Sequence, residues 1–264
     1  MSPIAIIGGG NMGETLIKGL HKYNRLLVCE ANSARVQYLK KKYQLTAVDI
    51  SAAVKAASVI ILAVKPQDMP VALKQMKTDC TWGKLVISIA AGLTTKYFEQ
   101  HFPGRKIAVV RCMPNMPAFI GEGMTAICAG KNATPVDVKA AQKILQTIGQ
   151  TVIVKESMMD AVTAVSGSGP AYVFLFVEQW MAAARALGFK ESEAKALVYK
   201  TLLGSAHLLE KSEFNAAALR VKVTSKGGTT QAAMEVFSKG KFDQLMKQAL
   251  LAAKNRAIIL RHLP

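Results

Sequence analysis

The fold is decided by IAIIGGGNMG, residues 4–13. This stretch carries the pattern G-x-G-x-x-G directly after a strand-like apolar run and at the start of an amphipathic segment. Gly8 permits a tight turn, Gly10 lets the backbone approach a pyrophosphate, and Gly13 lets helix and strand pack closely. The free amides at the start of the following helix would receive the phosphates. We therefore predict a dinucleotide-binding loop, against the alternative of an ordinary glycine-rich turn.

Outward from this loop, apolar runs alternate with amphipathic stretches through about the first 155 residues. Residues 58–64 are apolar almost without a break, which is typical of a strand buried on both faces. This alternation implies a mostly parallel, doubly wound sheet. From about Met158 onward the periodicity is helical. The predicted fold class is α/β, with an N-terminal Rossmann-like dinucleotide-binding domain over residues 1–156 and an all-α dimerisation domain over residues 157–264.

Charge and composition limit the classes of partner. Of the 264 residues, 51% are hydrophobic and the formal net charge is +17. Lys and Arg outnumber Asp and Glu by 20 to 9 in residues 1–156 and by 14 to 8 in residues 157–264, so the charge is spread over both halves. Without a basic tail or an aromatic platform, nucleic acid is not an expected partner. Ala-rich apolar helices predict a homodimer at least.

Other features point to the cytoplasm. No uninterrupted apolar run approaches the roughly 20 residues that a membrane span needs, and no signal peptide is apparent, so no membrane association is expected. The four cysteines form no CxxC pair and the four histidines are widely spaced. We expect reduced thiols and no metal site.

The end of the second predicted strand gives conflicting signals about the cofactor. Glu30 follows Gly13 by 17 residues, where a carboxylate accepts hydrogen bonds from the adenine ribose and favours NAD. Asn32, Ser33 and Arg35 follow and could hold a 2′-phosphate. The sequence therefore leaves NADPH or NADH open.

Three further motifs lie at strand ends or at the domain junction. Pro66 would hold Lys65 in an extended conformation, where its amine could neutralise a phosphate or stay in solvent. Asn115 lies between two prolines, and its amide suits a carboxamide such as that of nicotinamide, although a simple turn is the alternative. Ser168 is predicted to cap a helix with Pro170 in its first turn.

Near the C-terminus the chain reads SKGGTT, residues 225–230. Glycines before hydroxyl residues at a helix start form a pocket suited to an anion. The backbone amides of Gly228, Thr229 and Thr230 could receive an anion there.

In this order, GGGNMG, AVKPQ, SIAAG, RCMPNMP, DAVTAVSGSGPAY and SKGGTT resemble the pyrroline-5-carboxylate reductase family over nearly the whole chain. The resemblance implies reduction of the cyclic imine 1-pyrroline-5-carboxylate to L-proline with NADPH or NADH, the last step of proline biosynthesis. It also implies a Rossmann domain followed by a helical dimerisation domain. Members of the family are often decamers, so a decamer is a possible assembly.

The resemblance also implies site residues. Thr230 and Thr163 are the expected catalytic residues, with Glu156 and Glu213 at substrate-binding positions beside Gly228, Thr229 and Thr230. The implied cofactor-binding residues are Gly8, Gly10, Asn11, Met12, Gly13, Asn32, Ser33, Ala63, Val64, Lys65, Pro66, Ile89, Ala90, Ala91 and Asn115.

The chain departs from the family pattern mainly around the substrate loop. Lys226 replaces a proline that usually precedes the two glycines, residues 215–222 lack the usual His-Pro and acid, and Ile50 replaces an asparagine. Two alternatives follow. One is a β-hydroxyacid-type dehydrogenase, for which no Lys or His acid-base motif is seen. The other is a non-catalytic paralogue that binds NAD(P) as a sensor.

Overall fold

A computed structural model describes residues 2–261. Its eight strands, β1 to β8, are Ile4–Ile7, Leu26–Cys29, Thr46–Ala47, Val59–Leu62, Leu85–Ser88, Ala108–Met113, Gly123–Ala129 and Gly149–Ile153. They form one sheet in the order β3-β2-β1-β4-β5-β6-β7-β8. All neighbouring pairs are parallel except β6 and β7, which are antiparallel.

The described residues contain twelve α-helices. Helices α1 to α7 are Asn11–Leu20, Ser33–Tyr43, Ile50–Ala56, Met69–Met76, Thr95–Gln100, Pro135–Leu145 and Met159–Val162. Helices α8 to α12 are Gly169–Ala186, Glu191–Lys211, Ala216–Lys222, Thr229–Lys239 and Phe242–Leu260. The predicted fold class, a doubly wound sheet followed by helices, is confirmed.

Two apolar cores lie on the two faces of the sheet. On β1, Ala5 and Ile7 belong to one core and Ile4 and Ile6 to the other, and all four residues are buried. Because helices cover both faces, the strand sequences are continuously apolar rather than alternating. This is why the uninterrupted run at residues 58–64 correctly marked a central strand.

Two differences at the sheet edges have local causes. Strand β3 was not predicted, because two residues are too few to show any periodicity. Strand β8 begins at Gly149, two residues before the apolar run at residues 151–154 that the sequence marks as a strand. Gly149 has φ 143°, and a Cβ there would lie 2.0 Å from the Gly123 carbonyl oxygen. Glycine therefore lets β8 approach β7 two residues earlier than the apolar pattern suggests.

The junction before α8 is also different from the prediction. Residues Thr163–Gly167 form a π-helical turn, and the Ser168 amide donates to the Thr163 carbonyl at 2.8 Å. Ser168 therefore has helical dihedrals, φ −86° and ψ −15°, and the prediction that it caps a new helix is wrong. Pro170 lacks an N–H and crowds the preceding turn, and a π bulge is a common way to accommodate such a break.

The described chain divides into two compact units. One contains the sheet, the chain up to Ser168 and the stretch from Ala253 onward, and the other is Gly169–Ala252. The domain boundary after Glu156 stays a prediction. Met159 packs against Ala126 and Cys128 of β7, so the residues after Glu156 lie on the sheet before the helical unit begins.

The helical unit has a small core and a large exposed apolar surface. Met181, Ala184, Ala194 and Val198 form its core. A cavity of about 1010 Å³ lies within this unit, lined mainly by apolar side chains such as Leu175 and Phe176, both of which are exposed in the single chain. Such a surface in one chain is typical of an interface with another.

Residues Glu156–Ala186 bear on the expectation that the protein does not associate with a membrane, which stays a prediction. Their most apolar window has a mean hydropathy of 1.2, so length and composition alone would let this stretch cross a membrane. This stretch contains no long uninterrupted apolar run, because scattered polar residues divide it. An apolar helix that dimerises meets the same criterion, and only 11% of the window is buried in the single chain.

A charged contact fastens the end of α12 within the sheet-containing unit. The Arg261 Nη2 atom pairs with Oδ2 of Asp160, whose side chain is only 4% exposed. Asp160 Oδ1 has no hydrogen-bond partner among the described residues. A buried carboxylate is costly unless it is paired, so Arg261 supplies charge that Asp160 requires.

Candidate active site

The glycine loop between β1 and α1 is shaped by close contacts. Gly8 has φ +105°, and a Cβ there would lie 2.7 Å from the Ala63 carbonyl group. A Cβ on Gly13 would lie 2.0 Å from the Gly8 carbonyl oxygen. Gly10, by contrast, is exposed, and no atom of the described residues lies within 4 Å of its Cβ position. Gly8 and Gly13 thus serve packing, while Gly10 leaves space for a ligand.

This loop lies where the order of strands reverses. Strand β1 pairs with β2 on one side and with β4 on the other. In open α/β sheets, ligands bind outside the carboxyl ends of the strands at such a point. Gly8 and Ala63 meet there, and the amide of Ala63 donates to the Ile7 carbonyl at 2.8 Å. The structure therefore brings two groups of predicted cofactor residues together.

The residues after β4 and β5 lie at the same edge of the sheet. Lys65 is exposed, with φ −65° and ψ 153°, so its predicted extended conformation is observed. Ile89 is half-buried, and the Ala90 amide donates to the Ser88 hydroxyl at 3.3 Å. Val64, Pro66 and Ala91 are accessible from the same edge.

Glu30 is held between the glycine loop and α2. Its Oε2 atom accepts from the Gly9 amide at 2.7 Å, and its Oε1 atom accepts from the Asn32 amide at 2.8 Å. The Asn32 side chain caps α2 by accepting from the Arg35 amide at 3.0 Å. Ser33, the first residue of α2, is exposed. Asn32 therefore has a structural task besides its predicted position near the ribose.

Asn115 ties two segments together through its side chain. Its Oδ1 atom accepts from the Met124 amide at 2.9 Å, and its Nδ2 atom donates to the Ser166 hydroxyl at 3.3 Å. Antiparallel β7 makes this possible, because it starts beside the end of β6. The side chain is thereby oriented, and its oxygen keeps a second lone pair that could accept from a nicotinamide carboxamide.

Thr163 begins the π turn. Its hydroxyl donates to the Met159 carbonyl at 2.9 Å, which leaves the oxygen able to accept a hydrogen bond. The end of that turn packs on the last residue of β6, since a Cβ on Gly167 would lie 2.6 Å from Met113 Cε. Asn115 and Thr163 thus belong to one packed region.

Glu156 has partners that the sequence did not indicate. Its two oxygens accept from the Thr95 amide at 2.7 Å and the Thr95 hydroxyl at 2.6 Å. The Arg111 guanidinium, which is buried, lies 3.5 Å from Glu156 Oε1. Thr95 was missed because it stands in no recognisable motif, and Arg111, although it begins RCMPNMP, was given no role of its own. An arginine in the middle of an apolar strand is the signal that could have marked one of them.

The start of α11 has the geometry of a tight turn. The Gly228 amide donates to the Ser225 carbonyl at 3.1 Å, and Gly227 has φ +72°. An i to i+3 bond with a positive φ at the third residue indicates a type II turn, with Lys226 second. The Gly227 amide also donates to Gln231 Oε1 at 2.7 Å.

This turn refines the predicted carboxylate pocket. Because Gly228 N–H is already bonded to Ser225, the amides of Thr229 and Thr230 are the better donors for a bound anion. Thr229 is exposed and Thr230 half-buried. Glu213, between α9 and α10, is exposed. The predicted substrate-binding residues Gly228, Thr229, Thr230 and Glu213 all belong to the helical unit. Glu156 and Thr163 belong to the sheet-containing unit.

The four cysteine thiols are unreactive near neutral pH. Burial raises the pKa of Cys29 to about 12, with a further contribution from Asp49, and raises that of Cys80 to about 11. It likewise raises the pKa of Cys128 to about 12 and that of Cys112 well above its usual value. Since the thiolate is the reactive form, none of the four is a nucleophile near neutral pH.

The glycine loop between β1 and α1 has the space and the free amides that a dinucleotide requires. The space beside Gly10 and the first amides of α1, whose N-cap is Gly10 itself, form a cradle for a pyrophosphate. The N-cap makes no side-chain hydrogen bond that would occupy those amides.

The comparisons with known proteins agree with this geometry. Residues 156–260 match the family model for pyrroline-5-carboxylate reductase dimerisation, and residues 3–92 match the model described as NADP oxidoreductase, coenzyme F420-dependent. The pyrroline-5-carboxylate reductase of Mycobacterium tuberculosis is 36% identical over 100% of this chain and 98% of its own length. That of Haemophilus influenzae is 39% identical over 96% of each protein.

Solved structures extend the similarity to the fold. A pyrroline-5-carboxylate reductase from Coxiella burnetii superposes with a TM-score of 0.92, at 34% identity and 99% coverage of both chains. The Plasmodium falciparum enzyme, solved with NADP bound, gives a TM-score of 0.86 at 29% identity and 98% coverage of both. From the glycine loop to the dimerisation helices, this chain belongs to the pyrroline-5-carboxylate reductase family.

Proposed function

We propose that this protein reduces 1-pyrroline-5-carboxylate to L-proline with NAD(P)H. The observation that carries this proposal is similarity to reductases over the whole chain, 36–39% identity in the two relatives described, rather than over the dinucleotide-binding half alone. A chain related only through its Rossmann half would share a cofactor and no more.

The reaction adds a hydride to the imine carbon and leaves a proton on nitrogen. The reduced nicotinamide, when bound, supplies the hydride. An imine protonates readily near neutral pH, so the protein needs no strong acid. Its tasks are to orient the substrate and to satisfy the N–H group of the product.

Thr230 is suited to the second task. It lies in the first turn of α11, where its hydroxyl can accept from a protonated ring nitrogen. The amides of Thr229 and Thr230 can bind the substrate carboxylate at the positive end of the helix dipole. Glu213 supplies a carboxylate on the same unit, at a position that the family resemblance assigns to the substrate.

The glycine loop and the ends of β4 and β5 would hold the cofactor. Gly10, Asn11, Met12 and Gly13 would receive its pyrophosphate, and Lys65 would lie toward its phosphates. The adenosine would lie toward Asn32 and Ser33, at the end of β2. Ala63, Val64, Pro66, Ile89, Ala90 and Ala91 would line the remainder.

Three other predicted residues act mainly by positioning. Glu156 joins the first residue of α5 to the buried Arg111, and Asn115 joins β7 to the π turn. Thr163 begins that turn and keeps an acceptor available. Together they would keep the loops at the carboxyl edge of the sheet in place around the nicotinamide.

The decisive test is a steady-state assay with pyrroline-5-carboxylate and either NADH or NADPH. The Thr230→Ala variant should lose about tenfold to hundredfold in kcat, and Thr230→Ser should retain most activity. Thr224→Ala is a matched control, since the Thr224 hydroxyl bonds to the Arg220 carbonyl in the same segment. Full activity in Thr230→Ala would exclude the assigned role.

The same assay separates the alternatives. Cofactor binding without oxidation on adding the imine would favour a sensor. Oxidoreduction of a β-hydroxyacid instead would favour the other dehydrogenase class. We further propose that the protein is a dimer or a larger ring of dimers, because its helical unit matches a dimerisation model. We also propose that it works in the cytoplasm.

A further inference from the structure

We infer, on the basis of the proposed function, that this reductase selects NADH over NADPH, and that Glu30 and the ion pair between Glu14 and Arg35 determine the selection. Neither the family membership nor the cofactor class decides this preference. The contacts around the end of β2 do.

The Glu30 carboxylate is fixed where the adenine ribose of a dinucleotide lies. Glu30 follows β2, the neighbour of β1, and ribose hydroxyls bind at that position in this class of fold. Each of its oxygens accepts one backbone N–H, from Gly9 and from Asn32. A carboxylate oxygen has a second lone pair, so it can still accept a ribose hydroxyl. A 2′-phosphate, which carries about two negative charges, would be repelled.

Arg35 is the cation nearest in sequence that could offset this repulsion, and it is already engaged. Its Nε atom donates to the Gly9 carbonyl at 2.7 Å, and its Nη2 atom pairs with Glu14 Oε2 at 2.5 Å. The guanidinium also lies over the Tyr38 ring, 5.0 Å from the centroid. Its fork therefore faces the glycine loop and α1, not an incoming phosphate.

Glu14 is anchored strongly enough to keep Arg35 there. Its other oxygen accepts from Lys42 at 2.9 Å, Tyr43 at 2.9 Å and Tyr38 at 3.1 Å. Lys42, a second cation on α2, is thus engaged by the same carboxylate. The four charges of Glu14, Glu30, Arg35 and Lys42 sum to zero, which leaves no excess positive charge for a 2′-phosphate.

Two of the amides near the start of α2 are engaged as well. The Asn32 amide donates to Glu30, and the Arg35 amide donates to the Asn32 side chain. Exposed Ser33 and the other donors of this turn are neutral, and neutral donors do not offset the negative charge of the Glu30 carboxylate. In the sequence, Glu30 favours a ribose hydroxyl, whereas Asn32, Ser33 and Arg35 could hold a 2′-phosphate. The contacts described here favour the ribose hydroxyl.

The test is the dissociation constant of each cofactor, measured by titration calorimetry without substrate. In the natural protein we expect NADH to bind at least about tenfold more tightly than NADPH. Glu30→Gln should reduce that ratio about tenfold, by removing the repulsion and weakening the ribose contact. Glu14→Gln should release Arg35, tightening NADPH while leaving NADH nearly unchanged.

Glu210→Gln is the matched control, because it removes the same charge from an exposed position on α9 and should leave both constants unchanged. If Glu30→Gln fails to fold, Glu14→Gln and the natural protein still decide the matter. Equal or tighter binding of NADPH by the natural protein, an unchanged ratio in both variants, or binding of neither cofactor would overturn the inference. Because binding is measured without imine, failure of the proposed reduction would be seen separately.

Discussion

Gly10 and Gly13 stand three residues apart, yet a methyl group at the two positions would meet different surroundings. Gly13→Ala would place a Cβ 2.0 Å from the Gly8 carbonyl oxygen, so the loop must shift. We expect that variant to lose about 1–3 kcal/mol of unfolding free energy together with cofactor affinity. Gly10→Ala should lose affinity alone, because its Cβ meets no described atom within 4 Å.

Urea unfolding and cofactor titration of both variants check this difference. Equal destabilisation of the two variants would show that the space beside Gly10 is not open. Unchanged cofactor affinity in Gly10→Ala would show that no pyrophosphate approaches there.

Lys226 stands second in a turn that favours proline. With Gly227 at φ +72° in the third position, the type II turn needs a second residue near φ −60°, which proline supplies. We expect Lys226→Pro to raise the unfolding free energy by about 0.4–1 kcal/mol, because the unfolded chain loses freedom. Activity should persist with a change mainly in KM, since a cation near the anion pocket is removed.

Chemical denaturation and a KM measurement check the turn assignment. Lys222→Pro, at the last residue of α10, is the contrasting variant and should be destabilised, because proline there cannot donate to the preceding turn and crowds it. A destabilised Lys226→Pro would mean that the turn is of another type, and a loss of turnover would give Lys226 a role beyond binding.

At the residue scale, the sequence indicated which residues matter to the fold more readily than which residues they bind. The motif indicated Gly8, Gly10 and Gly13 together with their separate tasks, because glycine's lack of a Cβ is itself the signal. It did not indicate that Glu156 binds Thr95 or that Asn115 binds Met124, since those pairs are 61 and 9 residues apart and arise only when the sheet forms.

Helices α1 and α2 are joined by the Glu14 cluster, and this joint should depend on pH. Burial would raise the pKa of Glu14, but hydrogen bonds from Lys42, Tyr43, Arg35 and Tyr38 outweigh it and hold the pKa at about 2. A folded-state pKa below the ordinary 4.5 stabilises the fold above that pH. The contribution is lost as the pH falls from about 4.5 through about 2.

Glu14→Gln should therefore be less stable than the natural protein at pH 7, by about 1–3 kcal/mol, and the difference should shrink in acid. Urea midpoints at pH 7, 5, 4 and 3 would measure it. Glu122→Gln, at an exposed position, should change stability by less than about 0.5 kcal/mol at every pH. A difference that stays constant with pH would show that packing, not charge, accounts for the effect.

At the element scale, long and strongly patterned segments were predictable. The helical period predicted from about Met158 onward was recognisable in α9 and α12, because each of these helices extends over many residues. The π turn before α8 was not predictable, since Gly-Ser-Gly-Pro is also a common helix start. Only the fit of Met113 against Gly167 shows why the chain continues without a break.

The exposed apolar surface of the helical unit predicts how the whole molecule associates. Leu175 lines the cavity of that unit and is 57% exposed in the single chain, so a charge there should disturb contacts between chains more than the fold. We expect Leu175→Asp to shift the protein toward monomer in sedimentation experiments. Leu187→Asp, 81% exposed and outside the cavity lining, is the matched control and should keep the assembly of the natural protein.

At the scale of the whole chain, the order of motifs was more informative than any one motif. The family resemblance is confirmed by full-length relatives and by solved structures. The number of chains in the assembly could not be predicted from the sequence. One sequence shows that apolar surface is available for association, but it does not specify how many copies associate.

The pairing of Asp160 with Arg261 has a consequence during protein synthesis. Asp160 is translated about a hundred residues before its partner, and at 5–20 residues per second the ribosome needs roughly 5–20 s to reach Arg261. Throughout that interval the nascent sheet-containing unit has a carboxylate that it cannot bury favourably. The docking of the α12 end must therefore follow synthesis of Arg261, and a ribosome stalled within α12 would hold a sheet-containing unit in which Asp160 is still unpaired.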